Sequence, residues 1–116
     1  EKLNIREEIA QSMMYGDFKN YLVAIIVPDK DFSKQWAKEN NKRFDLNELI
    51  QDQDFISKIK EVTENVNQNL SAIEKVRKFI LIDEEFTIEN DMMTPTLKVR
   101  RFKVKEKYKN KLEELY

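Results

Sequence analysis

The chain has 116 residues (14.0 kDa), enough for one domain with a core and too few for two of usual size. With 41% hydrophobic residues it is not a disordered tail, and with 37% charged residues and a net charge of -1 its core is modest and its surface well solvated. Cysteine and histidine are absent, which excludes disulfides, thiolate or imidazole metal sites, cysteine nucleophiles and Ser-His-Asp catalysis.

In chain order, Ile5 and Ile9 fall four apart around Glu7 and Glu8, so residues 2–11 read as a short amphipathic helix. Ser12-Met13-Met14-Tyr15 is a short apolar run. Tyr21 to Val27 is continuous, β-branched and aromatic, closed by Pro28, and reads as a central strand buried on both faces. The two runs flank Gly16-Asp17-Phe18-Lys19-Asn20, which suits a hairpin loop. Asp31 or Ser33 can cap a helix through about Asn40 carrying Phe32, Trp36 and Ala37. Residues 41–45 are polar loop, and Leu46, Leu49 and Ile50 give a brief helical turn. Phe55, Ile56, Ile59, Val62, Val66 and Leu70 recur at helical spacing, so a longer helix capped by Asp52 or Asp54 runs to about Leu70.

Phe79 to Ile82 reads as another strand, which Asp83-Glu84-Glu85 breaks. Phe86-Thr87-Ile88 is a weaker extended piece, and Asn90-Asp91 is a turn. Pro95 fixes its own φ and restricts Thr94, so Thr94-Pro95-Thr96 is expected to be extended. Val104, Tyr108, Leu112 and Leu115 form the apolar stripe of a terminal helix. The sum is a small α+β domain: a sheet of three or more strands, begun by a β-hairpin and packed by about four helices. No apolar run approaches the ~20 residues of a membrane-spanning helix, and no secretory leader is legible. The start at Glu1 rather than Met suggests a piece of a longer protein.

Few residues are candidates for chemistry. Asp83, Glu84 and Glu85 are adjacent acids, which in a loop usually point apart into solvent. Met13-Met14 and Met92-Met93 read as core rather than soft-metal ligands. A single glycine, Gly16, leaves no glycine-rich phosphate loop. Charge is uneven: residues 1–97 carry 13 basic and 19 acidic side chains, whereas residues 98–116 carry 8 basic and 3 acidic. Such a basic end is either a solvated helix face or a meeting place for phosphate. Just ahead of it, a proline-anchored segment delivers Lys98. A lysine is a point charge on a long stem, suited to a phosphate or a developing anionic oxygen; on spacing alone, a merely exposed lysine fits as well.

Thr94-Pro95-Thr96-Leu97-Lys98-Val99-Arg100-Arg101 resembles the C-terminal signature of long-chain fatty acid–CoA ligases of the AMP-binding, adenylate-forming superfamily. Met14-Tyr15-Gly16-Asp17 followed by Tyr21 to Asp29 resembles that branch's first hairpin. Phe79 to Ile82 followed by Glu85 to Asn90 is similar to its run into the lysine loop, and Lys107-Tyr108 and Leu112 to Tyr116 fit as well. The resemblance covers almost the whole chain in order. It implies a small mobile C-terminal lid that closes over a larger N-terminal domain, absent here, which binds ATP and the fatty acid. Lys98 stands at the position of the lysine used in acyl-adenylate formation, touching the α-phosphate side of ATP and the acyl carboxylate; the lid then rotates so that coenzyme A can attack. Thr94, Pro95, Thr96, Arg100 and Arg101 would support that loop or meet the larger domain. ATP, Mg2+ and coenzyme A are expected for the full-length enzyme and none held tightly by this piece, which should fold without catalysing. No residue here is expected to bind metal. The resemblance further implies a cytoplasmic protein, with peripheral membrane association open. Two positions depart from the pattern. Asp91 stands where long-chain members commonly have glycine, and Leu97 stands where the wider superfamily often has glycine before the lysine.

Two other readings compete. A free-standing basic-tailed module would bind nucleic acid or anionic membrane through residues 98–116. The apolar stripe of the terminal helix and the acidic remainder speak against it, and nucleic acid is not an expected partner. A purely structural or regulatory relative of the same fold is the other, against which the intact Lys98 speaks.

Overall fold

The computed structural model describes residues 6–16, 21–68 and 76–115. Three strands and four helices follow in the order β1 (Ile9–Tyr15), β2 (Leu22–Pro28), α1 (Lys30–Glu39), α2 (Leu46–Leu49), α3 (Gln53–Asn67), β3 (Val76–Leu81) and α4 (Arg101–Glu113). The sheet order is β1-β2-β3, with β1 antiparallel and β3 parallel to β2. This is the expected small α+β domain, its mixed sheet begun by a β1–β2 hairpin. The crossover between the parallel strands carries α1, α2 and α3.

The apolar run ending at Pro28 is the central strand, and Val23 to Val27 are all buried. Alternation splits it between two cores. Ala24 and Ile26 face a cluster with Ile9, Ala37, Leu49, Phe55, Ile59, Val62, Val66 and Val76. Val23, Ile25 and Val27 face a second cluster with Met13, Tyr15, Ile82, Phe86, Met92, Val104, Tyr108 and Leu112. The methionine pairs accordingly serve packing, with Met13 and Met92 fully inside.

Several local expectations are corrected. Residues 2–11 are not a helix: residues 6–8 form a turn and bend, β1 begins at Ile9, and residues 1–5 lie outside the described residues. Ile9 pairs with Pro28, then the register shifts at a bulge and Gln11 pairs with Val27. Pairing with β2 satisfies this backbone, and it overrides the helical spacing of two isoleucines. Of the expected hairpin loop, residues 17–20 lie outside the described residues. The cap of α1 is Asp29, whose carboxylate accepts from Phe32 N at 2.9 Å, rather than Asp31 or Ser33. Ser33 is instead buried, its hydroxyl donating back to Asp29 O at 2.6 Å.

Asp45 caps α2, accepting from Asn47 N at 3.0 Å. Asp52 caps α3, accepting from Asp54 N and Phe55 N. The Lys42 ammonium, 2.8 Å away, holds the Asp52 carboxyl below its ordinary range. The described part of α3 ends at Asn67, and the expected continuation to Leu70 lies outside the described residues. Asn67 donates to Val76 O at 2.8 Å and accepts from Val76 N at 3.0 Å, fixing the start of β3 three residues before the apolar run suggests. Phe86-Thr87-Ile88 is not a strand. Phe86 is buried, and Ile88 opens a turn.

Candidate functional site

The segment between β3 and α4 carries Lys98, and hydrogen bonds rather than regular structure define its path. Asn90 organises it. Its side-chain oxygen accepts from Thr87 N (3.0 Å) and Met92 N (3.1 Å), and its side-chain nitrogen donates to Glu85 O (2.7 Å). Thr87 Oγ1 accepts from Asn90 N, and Thr87 O accepts from both Met92 N and Met93 N. The chain is thus wound around Thr87, with Met92 driven into the second core. Asp91 reverses direction at φ 67°, in the left-handed region that asparagine and aspartate tolerate better than most residues.

Next comes a tight hairpin. Met93 and Val99 form an antiparallel bridge, Arg100 N donates to Met92 O (2.7 Å), and Thr94 N donates to Lys98 O (2.8 Å). At the tip Leu97 N donates to Thr94 O (2.8 Å), while Lys98 N donates to Thr94 Oγ1 (3.1 Å). Thr94-Pro95-Thr96 is therefore not an extended stretch. Pro95 and Thr96 lie in a turn, the setting that a fixed proline φ also favours. Leu97 closes the loop at φ 63°. A left-handed residue closing a three-residue hairpin loop is ordinarily glycine. Asp91 and Leu97 thus both hold non-glycine residues in the backbone region that glycine suits best.

The tip presents its side chains outward. Pro95, Thr96, Leu97 and Lys98 are exposed, Leu97 by 67%. Among the described residues none forms an ion pair with the Lys98 ammonium. Lys98 has both backbone hydrogen-bonding groups fixed and its charge available. Arg100 and Arg101 are engaged within the domain. Arg100 pairs with Asp91, whose other oxygen lies 3.5 Å from Lys103 Nζ, and Arg101 donates to Met14 O at 2.8 Å. Beyond them Phe102 is 72% exposed. It borders an open groove of 370 Å³ shared with Tyr15, Lys105, Glu106 and Lys109.

The three consecutive acids point apart. Asp83 accepts from Asn47 Nδ2 (3.0 Å), Glu84 pairs with Lys107 and accepts from Tyr108 OH (3.4 Å), and Glu85 is exposed. Burial first, and then the Glu84 charge, push the Tyr108 hydroxyl up to about 12. Among the described residues no three His, Cys, Asp or Glu side chains converge as metal ligands. Nor, among them, is any helix long and apolar enough to cross a membrane. One residue that supports this region escaped the sequence reading. Gln11 on β1 accepts from Phe86 N (2.7 Å) and donates to Phe86 O (3.0 Å), a contact between residues 75 apart in sequence that no local signal announces.

Comparison with known proteins gives a consistent picture. A scan against protein-family models returns no match. The long-chain-fatty-acid–CoA ligase FadD15 of Mycobacterium tuberculosis is 30% identical over 118 residues, covering 100% of this chain and 20% of that protein. The human long-chain-fatty-acid–CoA ligase 6 is 32% identical over 120 residues, covering 100% of this chain and 17% of that protein. The chain thus spans about a fifth of the length of the curated relatives it matches. Among solved structures, the A-PCP didomain of carboxylic acid reductase from Segniliparus rugosus, in complex with AMP, superimposes with a TM-score of 0.76. It is 25% identical and covers 98% of this chain and 14% of that one.

Proposed function

We propose that this chain, similar along its whole length to one segment of the long-chain fatty acid–CoA ligases, is the mobile C-terminal lid of such an enzyme and that Lys98 serves acyl-adenylate formation. One observation carries the reading: an ammonium without an ion-pair partner among the described residues stands at the tip of a hairpin whose backbone is fixed from Thr87 to Arg100. In adenylation a carboxylate oxygen forms a bond to the α-phosphorus of ATP as the bond to pyrophosphate breaks. Negative charge gathers on the phosphoryl oxygens. A lysine brought there by a closing lid, in a site emptied of water, stabilises that charge without giving up a proton.

The larger domain holds ATP and the fatty acid in this reading. The phosphates keep their Mg2+ there too. Thr94, Pro95 and Thr96 shape the tip, and Arg100 and Arg101 hold its base. After adenylation the lid rotates and coenzyme A attacks the acyl-adenylate. Alone, this chain is expected to fold, to bind ATP weakly and not to catalyse, because one surface lysine offers little against the entropy of holding a ligand. The full protein is expected in the cytoplasm, with the exposed Phe102 and its basic neighbours on α4 able to meet a membrane surface peripherally.

The test is Lys98→Ala in the full-length protein. ATP–pyrophosphate exchange driven by a long-chain fatty acid should fall by about 10²–10³, the usual cost of removing one preorganised charge-stabilising group. Thioester formation from supplied acyl-adenylate should fall far less. Unchanged exchange removes Lys98 from the mechanism, and equal loss of both steps points to damage to the fold.

A further inference from the structure

We propose that Gln11, on β1, is a positioning residue for the lysine hairpin: it straps the segment that carries Lys98 to the edge of the sheet. The inference rests on the adenylation reading for its consequence and on geometry for its substance.

Gln11 is a half-buried amide in a strand that buries Ile9, Met13 and Tyr15. A polar group at such a place is costly unless paired. Its pairing is two-way. The side-chain oxygen accepts from Phe86 N at 2.7 Å and the side-chain nitrogen donates to Phe86 O at 3.0 Å, the pattern a neighbouring strand would offer. The same nitrogen lies 3.8 Å from Met93 Sδ. Phe86 directly precedes Thr87, whose carbonyl receives the amides of Met92 and Met93. Met93 in turn bridges Val99, the neighbour of Lys98. Three residues further along β1, Met14 O accepts from Arg101 at the start of α4. The strand therefore holds the incoming side of the hairpin through Gln11 and the outgoing side through Met14. On the β1 side the contact at Met14 is made by a backbone carbonyl and survives a side-chain substitution in β1, whereas the contact at Phe86 depends on the Gln11 amide. Without it, among the described residues, the Phe86 amide and carbonyl have no hydrogen-bond partner, and only its ring ties it to the sheet. The hairpin would then sample orientations in which Lys98 misses the reacting phosphorus.

The experiment uses the full-length protein and Gln11→Met, close in size and lacking both hydrogen bonds. Amides of Phe86 and of Met92 to Lys98 should exchange with deuterium at least tenfold faster, with α3 amides unchanged. The kcat of adenylation should fall about tenfold with KM for ATP and fatty acid within twofold, and thioester formation from supplied acyl-adenylate should be unaltered. Unchanged hairpin exchange, or a change in KM alone, overturns the proposal. If Gln11→Met loosens α3 as well, Gln11→Glu, which keeps the acceptor for Phe86 N, decides. Loosening confined to the hairpin supports positioning, and equal loosening everywhere makes Gln11 a residue of general stability. Lys98→Ala separates the two readings. Unchanged adenylation there, with a loosened hairpin in Gln11→Met, sinks the lysine's role and leaves the strap in place.

Discussion

The two faces of the sheet are held by different forces. On the first, α1, α2 and α3 lay periodic apolar side chains on Ala24 and Ile26, and Phe55 sits at the centre against the rings of Trp36 (5.1 Å between centroids) and Phe32 (6.4 Å). On the second, α4 covers part of the surface, and the rest lies under a loop whose path is fixed by Asn90, Thr87 and Gln11. The first face resists deformation because apolar burial is additive and non-directional. The second trades some of that robustness for direction, since hydrogen bonds hold the backbone at defined angles. The hairpin that carries Lys98 lies on this second face, held more by direction than by bulk.

Substitutions on each face sharpen the contrast. Phe55→Ala removes a fully buried ring and should cost about 3–5 kcal/mol. Urea unfolding would register it as a lower midpoint. In the fraction still folded, exchange of the lysine hairpin should be unaltered; preferential hairpin loosening would mean that the faces are not separate. Asn90→Ala removes three side-chain hydrogen bonds and should cost about 1–3 kcal/mol. Here hydrogen exchange should rise first at Met92 to Lys98, and uniform acceleration would deny the loop its own cooperativity.

Leu97→Gly should do the opposite and stabilise, by about 0.5–1 kcal/mol, by relieving a left-handed leucine. A lower thermal midpoint would show that the leucine side chain contributes within the domain. The smallest effect concerns pH. The Tyr108 hydroxyl is pushed up to about 12, whereas an unfolded tyrosine titrates near 10, so the folded chain holds this proton more tightly. Its contribution is complete below pH ~10 and is lost as pH rises toward 12. Tyr108→Phe should therefore flatten the decline of the urea midpoint across that range, and parallel declines in both proteins would contradict it.

What could be read from the sequence follows the same division. The α3 stripe, the α4 stripe and the β2 run announce themselves because periodic burial is written in residue type. β1 did not, because the bulge after Ile9 breaks its alternation and Gln11 points a polar amide toward the loop. β3 was legible only from Phe79 onward, since Arg77 and Lys78 hide its start and Asn67 fixes it from elsewhere. In the lysine segment the motif located Lys98, but the hairpin, the reversals at Asp91 and Leu97 and the strap from β1 depend on partners distant in sequence or on backbone angles that residue type barely constrains.

The outer side of β3 has a consequence of its own. Among the described residues its ladder has a neighbour on one side only, and the exposed Arg77 and Lys78 stand at its beginning. Two adjacent cations on an open strand repel a like strand arriving from another molecule, a common natural defence against fibrils. On its own, the domain should therefore resist aggregation, and neutralising both cations should make it precipitate.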